Sequence, residues 1–358
     1  MPGIRSTESH RNREFGALFD SELWWRDEYQ AIEAQGYILR PRYHPNWCPS
    51  WKRSGKDFFT VEDGQPTLSP TSMDGTRACD GRQVMFKKIS AGNELEITKF
   101  LSSPGLMRES QCVPLLEILE LPKSPEQKLL VMPLLRPFDN PRFQTFGEFV
   151  SFFAQICDGL LFMHERNIAH RDCTTNNIML DPSGMYPKGF HPIQINRSRD
   201  FKGRAKRFTR TRRPTRYYLI DFGLSRRYSS RNALDEPLRG GDKSAPEHRL
   251  GRQCNPFHTD IYDLGNLVRE RFLKVYNGFE FMVGLVDAMT DDNPAERPTI
   301  EEVISRFSRI RDSLSGFKLR SLITSKKDRS LTTKFRYVRQ VVRTVGYIIL
   351  QKAAIPCA

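Results

Sequence analysis

Asp172 and Asn177 stand five residues apart in the run His170-Arg171-Asp172-Cys173-Thr174-Thr175-Asn176-Asn177. A carboxylate and an amide at this spacing suit phosphoryl transfer. The carboxylate orients an attacking hydroxyl and takes its proton, while the amide oxygen holds a divalent cation bridging nucleotide phosphates. Both side chains must turn towards one point, which a loop allows and a continuous helix does not. Downstream lie Asp221-Phe222-Gly223 after an apolar run (217–220), then Ala245-Pro246-Glu247, Asp260 in T-D-I-Y-D-L-G, and Arg297 in D-N-P-A-E-R-P. Each is a common string by itself; their order and spacing carry the weight.

Positioning these residues needs particular elements. Phe149, Phe152, Phe153, Ile156, Leu160 and Met163 recur at helical spacing, so a helix over 146–167 delivers the chain into the Asp172 loop. Residues 260–315 pass the same test. Upstream, Val84 to Ile89 reads as a strand carrying Lys87, a short helical piece follows over 93–101, and Leu129 to Met132 reads as a strand buried on both faces. A short helix over 22–34 and an extended segment over 36–43 precede them, and residues 1–23 read as a loosely docked lead-in. A strand-rich part therefore precedes a larger helical part.

The 358 residues suffice for two lobes. Seven scattered cysteines form no C-x-x-C pair, so neither a disulfide framework nor a zinc site is expected, and the cysteines read as buried apolar residues in a reducing compartment. The first 20 residues hold no apolar core of signal-peptide length, and no apolar run is long enough to suggest a membrane span. An intracellular, cytoplasmic setting is the expectation. The charge of +14 is uneven: residues 196–216 and 317–352 each carry +9, leaving 36 basic and 40 acidic residues for the remainder. Basicity belongs to two appendages of a mildly acidic body.

From about Tyr37 to Ile310 the chain resembles the eukaryotic protein kinases, on H-R-D-x-x-x-x-N, D-F-G, A-P-E and the two motifs after them. The resemblance is closest to fungal kinase-domain proteins with a basic insert before D-F-G. It implies an α+β, bilobal protein-kinase-like fold, with a small β-rich N-lobe, a larger α-helical C-lobe and ATP in the cleft between. The implied organisation is an N-terminal extension (1–36), a kinase domain (37–315, with its N-lobe over about 37–135, its C-lobe over about 136–315 and a basic insert over about 182–215) and a basic C-terminal tail (316–358). Asp172 matches the catalytic base, with His170 and Arg171 completing its motif. Asn177 and Asp221 match the Mg²⁺ ligands, Asp221 with its companions Phe222 and Gly223. Lys87 matches the lysine that grips the α and β phosphates of ATP. Its acidic partner is Glu94, because Ile97 and Leu101 then fall three and seven residues on, with Glu96 the alternative. Met132, Pro133 and Leu135 match the segment that meets adenine, Pro133 through its carbonyl and Leu135 through its N–H. Glu247 and Arg297 match a buried structural pair, and Asp260 the residue that supports the catalytic loop. Ser229 and Ser230 are candidate phosphate acceptors near Arg171.

The sequence departs from the family pattern in several places. No G-x-G-x-x-G precedes Lys87; only Gly75 and Gly81 are near, and the roof over the phosphates falls somewhere in 43–78. Met85 stands where a small alanine is usual. Thr174 replaces the lysine of serine/threonine kinases, and Gly240 stands about where a threonine is usual. Asp172 and Asp221 are 49 positions apart where roughly 20 suffice.

The expectation is an ATP-dependent, Mg²⁺-dependent protein kinase acting on a protein hydroxyl, serine or threonine before tyrosine. The competing readings are a pseudokinase scaffold and a small-molecule kinase. Phe201 and Phe208 among the insert's arginines suit single-stranded nucleic acid, but a solvated or docked charged loop is the preferred reading. The tail carries Phe335, Val338, Val342, Val345 and Ile349 at helical spacing, with Lys334, Arg336, Arg339 and Arg343 nearby. It suits an anionic membrane surface or acidic partner, or an apolar groove of the protein's own body.

Overall fold

The computed structural model describes residues 17–67, 69–103, 105–106, 110–237, 243–328 and 330–357, and of 330–335 the backbone alone. Gly240 lies outside the described residues. The chain divides into two compact units.

The first unit takes its residues from 1–91, 116–134 and 188–206. Five strands form its antiparallel sheet: β1 (Tyr37–Leu39), β2 (Ser72–Arg77), β3 (Gln83–Ser90), β4 (Glu117–Glu120) and β5 (Gln127–Pro133), in the order β1-β2-β3-β5-β4. Alternation along β3 decides the faces. Val84 and Phe86 enter an apolar cluster with Leu39, Met73, Leu129 and Val131, so Met85 and Lys87 point the other way. Register places Met85 opposite Met132, and Lys87 opposite Leu130.

The aromatic N-terminal stretch covers that cluster. Instead of one helix over 22–34, the chain forms α1 (Asp20–Asp27) and α2 (Tyr29–Ala34), and Trp25 and Ile32 are completely buried against the sheet. Burying each is worth about 1.5–3 kcal/mol, so residues 20–34 are part of the unit, and the stretch read as a lead-in over 1–23 is structured from Asp20 onward. Glu22, also fully buried, holds Arg42 through two hydrogen bonds (2.8 and 2.9 Å) and accepts a third from the Tyr43 hydroxyl (2.8 Å). The β1–β2 connection, including α3 (Ser50–Ser54), is thus fastened by side chains. Gly75 has a packing reason: a Cβ there would sit 2.4 Å from the Phe86 ring.

The second unit comprises 92–115, 135–187 and 207–358. It contains α4 (Asn93–Leu101), the small strands β6 (Arg136–Pro137), β7 (Ile168–Ala169), β8 (Ile178–Leu180), β9 (Tyr217–Leu219) and β10 (Arg226–Arg227), and the helices α5 (Phe146–His164), α6 (Pro246–Leu250), α7 (Pro256–Val268), α8 (Val283–Met289), α9 (Ile300–Ser313), α10 (Gly316–Arg320) and α11 (Ser330–Ile349). Thr145 caps α5 by accepting the Glu148 N–H. Phe149, Phe152 and Phe153 are completely buried and pack among Phe138, Phe272 and Phe307. By length and hydropathy α5 could cross a membrane, but 78% of that window is buried inside the unit. Its apolarity is that of a core helix.

The insert is docked throughout. Residues 188–206 pack on the first unit, where the Gln83 amide donates to the Phe190 carbonyl (3.1 Å) and Arg199 donates to the Gly81 carbonyl (2.9 Å). Phe201 is buried against the His191 ring. Residues 207–216 pack on the second unit: Arg210 is 2% exposed and donates to the Phe138 carbonyl and the Tyr217 hydroxyl, each at 2.8 Å. Glu148 accepts from the Thr211 N–H and hydroxyl. All seven cysteines are free thiols; Cys112, Cys157, Cys173 and Cys254 are buried, whereas Cys48, Cys79 and Cys357 are exposed, so the expectation of buried cysteines holds for four of them.

Candidate active site

The loop after β7 is shaped by one buried carboxylate. Asp260, on α7 and completely buried, accepts from the backbone N–H groups of His170 (2.8 Å) and Arg171 (2.7 Å), and its Oδ2 also meets His164 Nε2 (3.0 Å). Arg171 is held at φ +67°, which a non-glycine residue adopts only under such constraint. His170 Nε2 meets the Ile220 carbonyl (3.1 Å), and its Nδ1 accepts from the Asp172 N–H (3.3 Å). Burial pushes the His170 imidazole below its ordinary value, outweighing the pull of Asp260. The neutral ring fits both hydrogen bonds.

Asp172 emerges partly exposed from this loop. The Asn177 amide nitrogen donates to its Oδ2 (2.7 Å) and to its backbone carbonyl (3.0 Å). That commits the NH₂ and leaves the amide oxygen as the group available for a cation. The chain then enters β8, which pairs with β9 across the insert, with Ile178 opposite Leu219. The Ile220 N–H donates to the Asn177 carbonyl (2.9 Å), so the backbone beside Asn177 adjoins the residue before Asp221. Asp221 takes φ +63° and projects to solvent; its Oδ1 accepts the Gly223 N–H (3.2 Å). Phe222 is buried edge-on to His170.

Helix α4 packs beside this turn. Asn93 donates to the Ser225 carbonyl (2.6 Å), and Arg227 lies over the Phe100 ring. Glu94 Oε2 and Asp221 Oδ1 both lie within 3.3 Å of where a Gly223 Cβ would stand. Glu96 instead points outward, 73% exposed, near Lys99. Between the two acids weighed from the sequence, Glu94 is the one beside Asp221. Lys87 lies on β3 in the first unit, as do Met132 and Pro133 on β5, while Leu135 opens the second unit's share of the chain.

Glu247 and Arg297 form a bidentate pair at 2.7 and 2.8 Å, both buried. Thr259 donates to Glu247 (3.0 Å), and Arg297 reaches the Asp291 and His258 carbonyls and covers the Tyr262 ring. Burial pushes the Glu247 carboxyl up, but Arg297 outweighs it and holds the group below its usual range.

Asp235 was not singled out from the sequence. Its carboxylate accepts from Arg226 (2.8 Å) and the Tyr228 hydroxyl (2.6 Å), and Arg171 lies 3.2 Å away. Its backbone pairs with Cys254 in both directions. Ser229 and Ser230 are exposed nearby, and neither meets Arg171. The cationic position read as a phosphate receiver is thus filled by a carboxylate of the chain itself.

These donors suit a hard cation. A carboxylate and an amide oxygen match Mg²⁺, which is bound through one or two protein oxygens together with substrate phosphates. Among the described residues no group of three or more His, Cys, Asp or Glu could hold a metal without such help. Three relatives resemble part of the chain. The dual specificity protein kinase zakA of Dictyostelium discoideum is 32% identical over 125 residues, 34% of this chain and 13% of that protein. The serine/threonine-protein kinase CAK1 of Saccharomyces cerevisiae is 24% identical over 171 residues, 45% of this chain and 39% of that one. A probable CTD kinase subunit alpha homolog of Encephalitozoon cuniculi is 24% identical over 190 residues, 52% and 46% respectively. The chain therefore spans less than half the length of each. The protein kinase domain itself matches residues 71–277, more than half of the chain and a range holding Lys87, Glu94, Asp172, Asn177, Asp221, Glu247 and Asp260. With its fold and loop geometry in agreement with that match, the chain belongs to the eukaryotic protein kinase family.

Proposed function

We propose that the chain is an active protein kinase, moving the γ-phosphoryl group of ATP to a protein hydroxyl, serine or threonine in preference to tyrosine. The observation that carries this reading is the Asn177 amide gripping Asp172 at 2.7 Å, with its own backbone bonded to the residue before Asp221. A scaffold has little physical need for a base, an amide and a second carboxylate so arranged. Asp172 orients the acceptor hydroxyl and receives its proton, and the Asn177 NH₂ fixes the carboxylate's direction. Asp221 and the Asn177 amide oxygen are the groups that would hold Mg²⁺, which supplies neutralisation of phosphate charge. Lys87 is assigned to the α and β phosphates, Glu94 to its support, and Pro133 and Leu135 to adenine beside Met132. An intracellular setting accords with the free thiols.

A nucleotide-binding scaffold is the second reading. It is favoured by Thr174 and by a β1–β2 connection built from side-chain contacts such as Arg40–Asp74 (2.9 Å), with no glycine-rich run. Radiolabel transfer from Mg-ATP to the protein itself and to peptide mixtures separates the two. The kinase reading expects transfer that Asp172→Ala abolishes while nucleotide still raises the melting temperature. Equal absence of transfer in both, with the thermal shift kept, would favour the scaffold; transfer to metabolites but never to protein would favour a small-molecule kinase.

Because Asp235 already meets Arg171, activity should not need a phosphate on Ser229 or Ser230. The double variant Ser229→Ala/Ser230→Ala is expected to keep the wild-type rate within about twofold. Asp235→Ala removes the carboxylate facing Arg171 and Arg226, and hydrogen bonds to charged groups are worth about 1.5–3 kcal/mol. A loss of about 10- to 150-fold in kcat/KM follows if that energy holds the segment in its working form. Steady-state assays of both variants check this, and the opposite ranking would contradict it.

The basic tail is assigned to an anionic surface or acidic partner. Its helix docks by its polar residues, with Gln340 6% exposed, and turns Val338, Val342, Val345 and Ile349 outward at 62, 68, 52 and 73% exposure. That is the reverse of apolar self-docking, one of the two readings its periodicity allowed.

A further inference from the structure

The inward face of α11 closes a cavity of about 470 Å³ in the second unit, outside every motif assigned above. Arg336, Arg339, Gln340 and Arg343 stand at i, i+3, i+4 and i+7 and so share one side of the helix. They face Arg142 and Arg207 on the body. Docking the opposite side would have removed four large aliphatic side chains from water. The helix instead gathers five guanidinium groups around one space.

Those charges are poorly compensated by the protein. Asp328 lies 2.6 Å from Arg336 and 3.7 Å from Arg142, and the buried Glu148 acts on Arg343 from further off. Arg343 donates to the neutral Gln144 amide oxygen (3.0 Å). Arg207 and Arg339 have no carboxylate partner among the described residues, and both are exposed to solvent. Burial and the neighbouring Arg339 push the Arg343 guanidinium below its ordinary value, as uncompensated crowding does. The C-terminal segment holds the arrangement in place: Ser151 on α5 donates to the Pro356 carbonyl (2.5 Å), and a Cβ on Gly147 would strike the Ala354 carbonyl.

Guanidinium forks match phosphate oxygens in bidentate fashion, and the volume falls within the roughly 300–1,000 Å³ of small-molecule sites. Five cations against Asp328 and the more distant Glu148 leave a charge that a single phosphate does not balance. We propose that this cavity binds a small, multiply phosphorylated anion, whose clustered phosphates are borne on a soluble polyol or on a lipid headgroup. The proposal does not depend on the catalytic reading, because none of its residues belongs to the kinase motifs.

The test uses the full chain and two probes: inositol hexakisphosphate in solution, and phosphatidylcholine vesicles with and without a few per cent of a phosphoinositide. Calorimetric titration is expected to show saturable binding of the soluble probe that weakens as salt rises, with inorganic phosphate at least tenfold weaker. The variant Arg207→Ala/Arg339→Ala, both at exposed positions, is expected to lose at least tenfold in affinity while its unliganded melting temperature stays the same or rises, since like charges have been separated. If the physiological source is lipid, the phosphoinositide vesicles co-sediment the protein, the soluble probe competes them off, and Val342→Glu weakens sedimentation without touching the soluble titration. If the source is soluble, the titration is seen and the vesicles fail. Absence of saturable binding to either probe, or equal binding by the double-arginine variant, overturns the site. Vesicle binding sensitive to Val342→Glu but not to the arginine changes also overturns it, leaving only an apolar surface contact.

Discussion

Asp260→Ala is expected to cost both stability and nearly all activity, although the residue is completely buried. Its carboxylate is completely buried and accepts two backbone N–H groups, at 2.8 and 2.7 Å, from consecutive residues of the catalytic loop. Alanine leaves both donors buried without a partner, at about 1–3 kcal/mol each. It also releases Arg171 from a left-handed conformation that costs about 1–2 kcal/mol. Part of the loss is recovered as the loop relaxes, but relaxation is what moves Asp172. A displacement of 1 Å can cost about 100-fold in rate. Urea unfolding should show a midpoint lowered at unchanged slope, by about 2–6 kcal/mol in total, and kcat should fall at least 100-fold. Asp260→Asn keeps one acceptor oxygen and should fall between. A wild-type midpoint and rate in Asp260→Ala would show that the loop is held by something else.

Arg297→Ala should destabilise the fold strongly. It leaves Glu247 charged, buried and stripped of two hydrogen bonds of 2.7 and 2.8 Å. Breaking a buried pair from one side costs about 3–5 kcal/mol, a large part of a domain's stability, whereas replacing both partners with apolar residues of similar volume is often near neutral. Arg297→Met combined with Glu247→Leu should therefore recover most of the loss. The pH dependence has a definite sign. In the wild type the Glu247 carboxyl is held below its usual range, so the pair's contribution is present above the ordinary carboxylate pKa and is lost as pH falls through the lowered value. In Arg297→Ala the guanidinium no longer offsets burial, so that pKa lies above its wild-type value even with the Thr259 hydrogen bond kept, and the variant loses less stability as pH falls. The gap between the two proteins should narrow on acidification in calorimetric melts. A gap that widens would show that Arg297 acts through its contacts with carbonyls and the Tyr262 ring and not through Glu247.

What the sequence disclosed was mostly local. Asp172 and Asn177 are close in the chain, and their spacing suggests that both turn towards one point, though not the amide's hydrogen bond to the carboxylate at 2.7 Å. The resemblance favours Glu94 over Glu96, because Ile97 and Leu101 then fall three and seven residues on as in the family, and Glu94 is the acid beside Asp221. The illegible parts depend on partners distant in sequence. Trp25 and Ile32 could be seen to be apolar, but not that the face of β3 bearing Val84 and Phe86 required a cover. The insert's arginines read as solvated or docked charge, with nothing in the sequence to choose between the two. Arg210 spends its guanidinium on a carbonyl and a tyrosine hydroxyl in the interior, which no charge count reveals. Serines 229 and 230 drew attention because they can be modified, whereas Asp235 had no motif to mark it. For α11 the periodicity gave the residues on each side of the helix correctly, but not which side turns inward.

The proposed chemistry rests on two carboxylates and an amide acting on one triphosphate. The most direct measurement is γ-phosphoryl transfer from Mg-ATP by the wild type and by Asp221→Asn, each shown by its melting temperature to be folded. The predicted result is transfer by the wild type that depends on Mg²⁺, and a loss of at least about 1,000-fold in the variant, comparable with removing a main electrostatic contributor to a transition state. Equal rates in the two proteins, or no transfer by a folded wild type supplied with Mg-ATP and a broad peptide mixture, would contradict it.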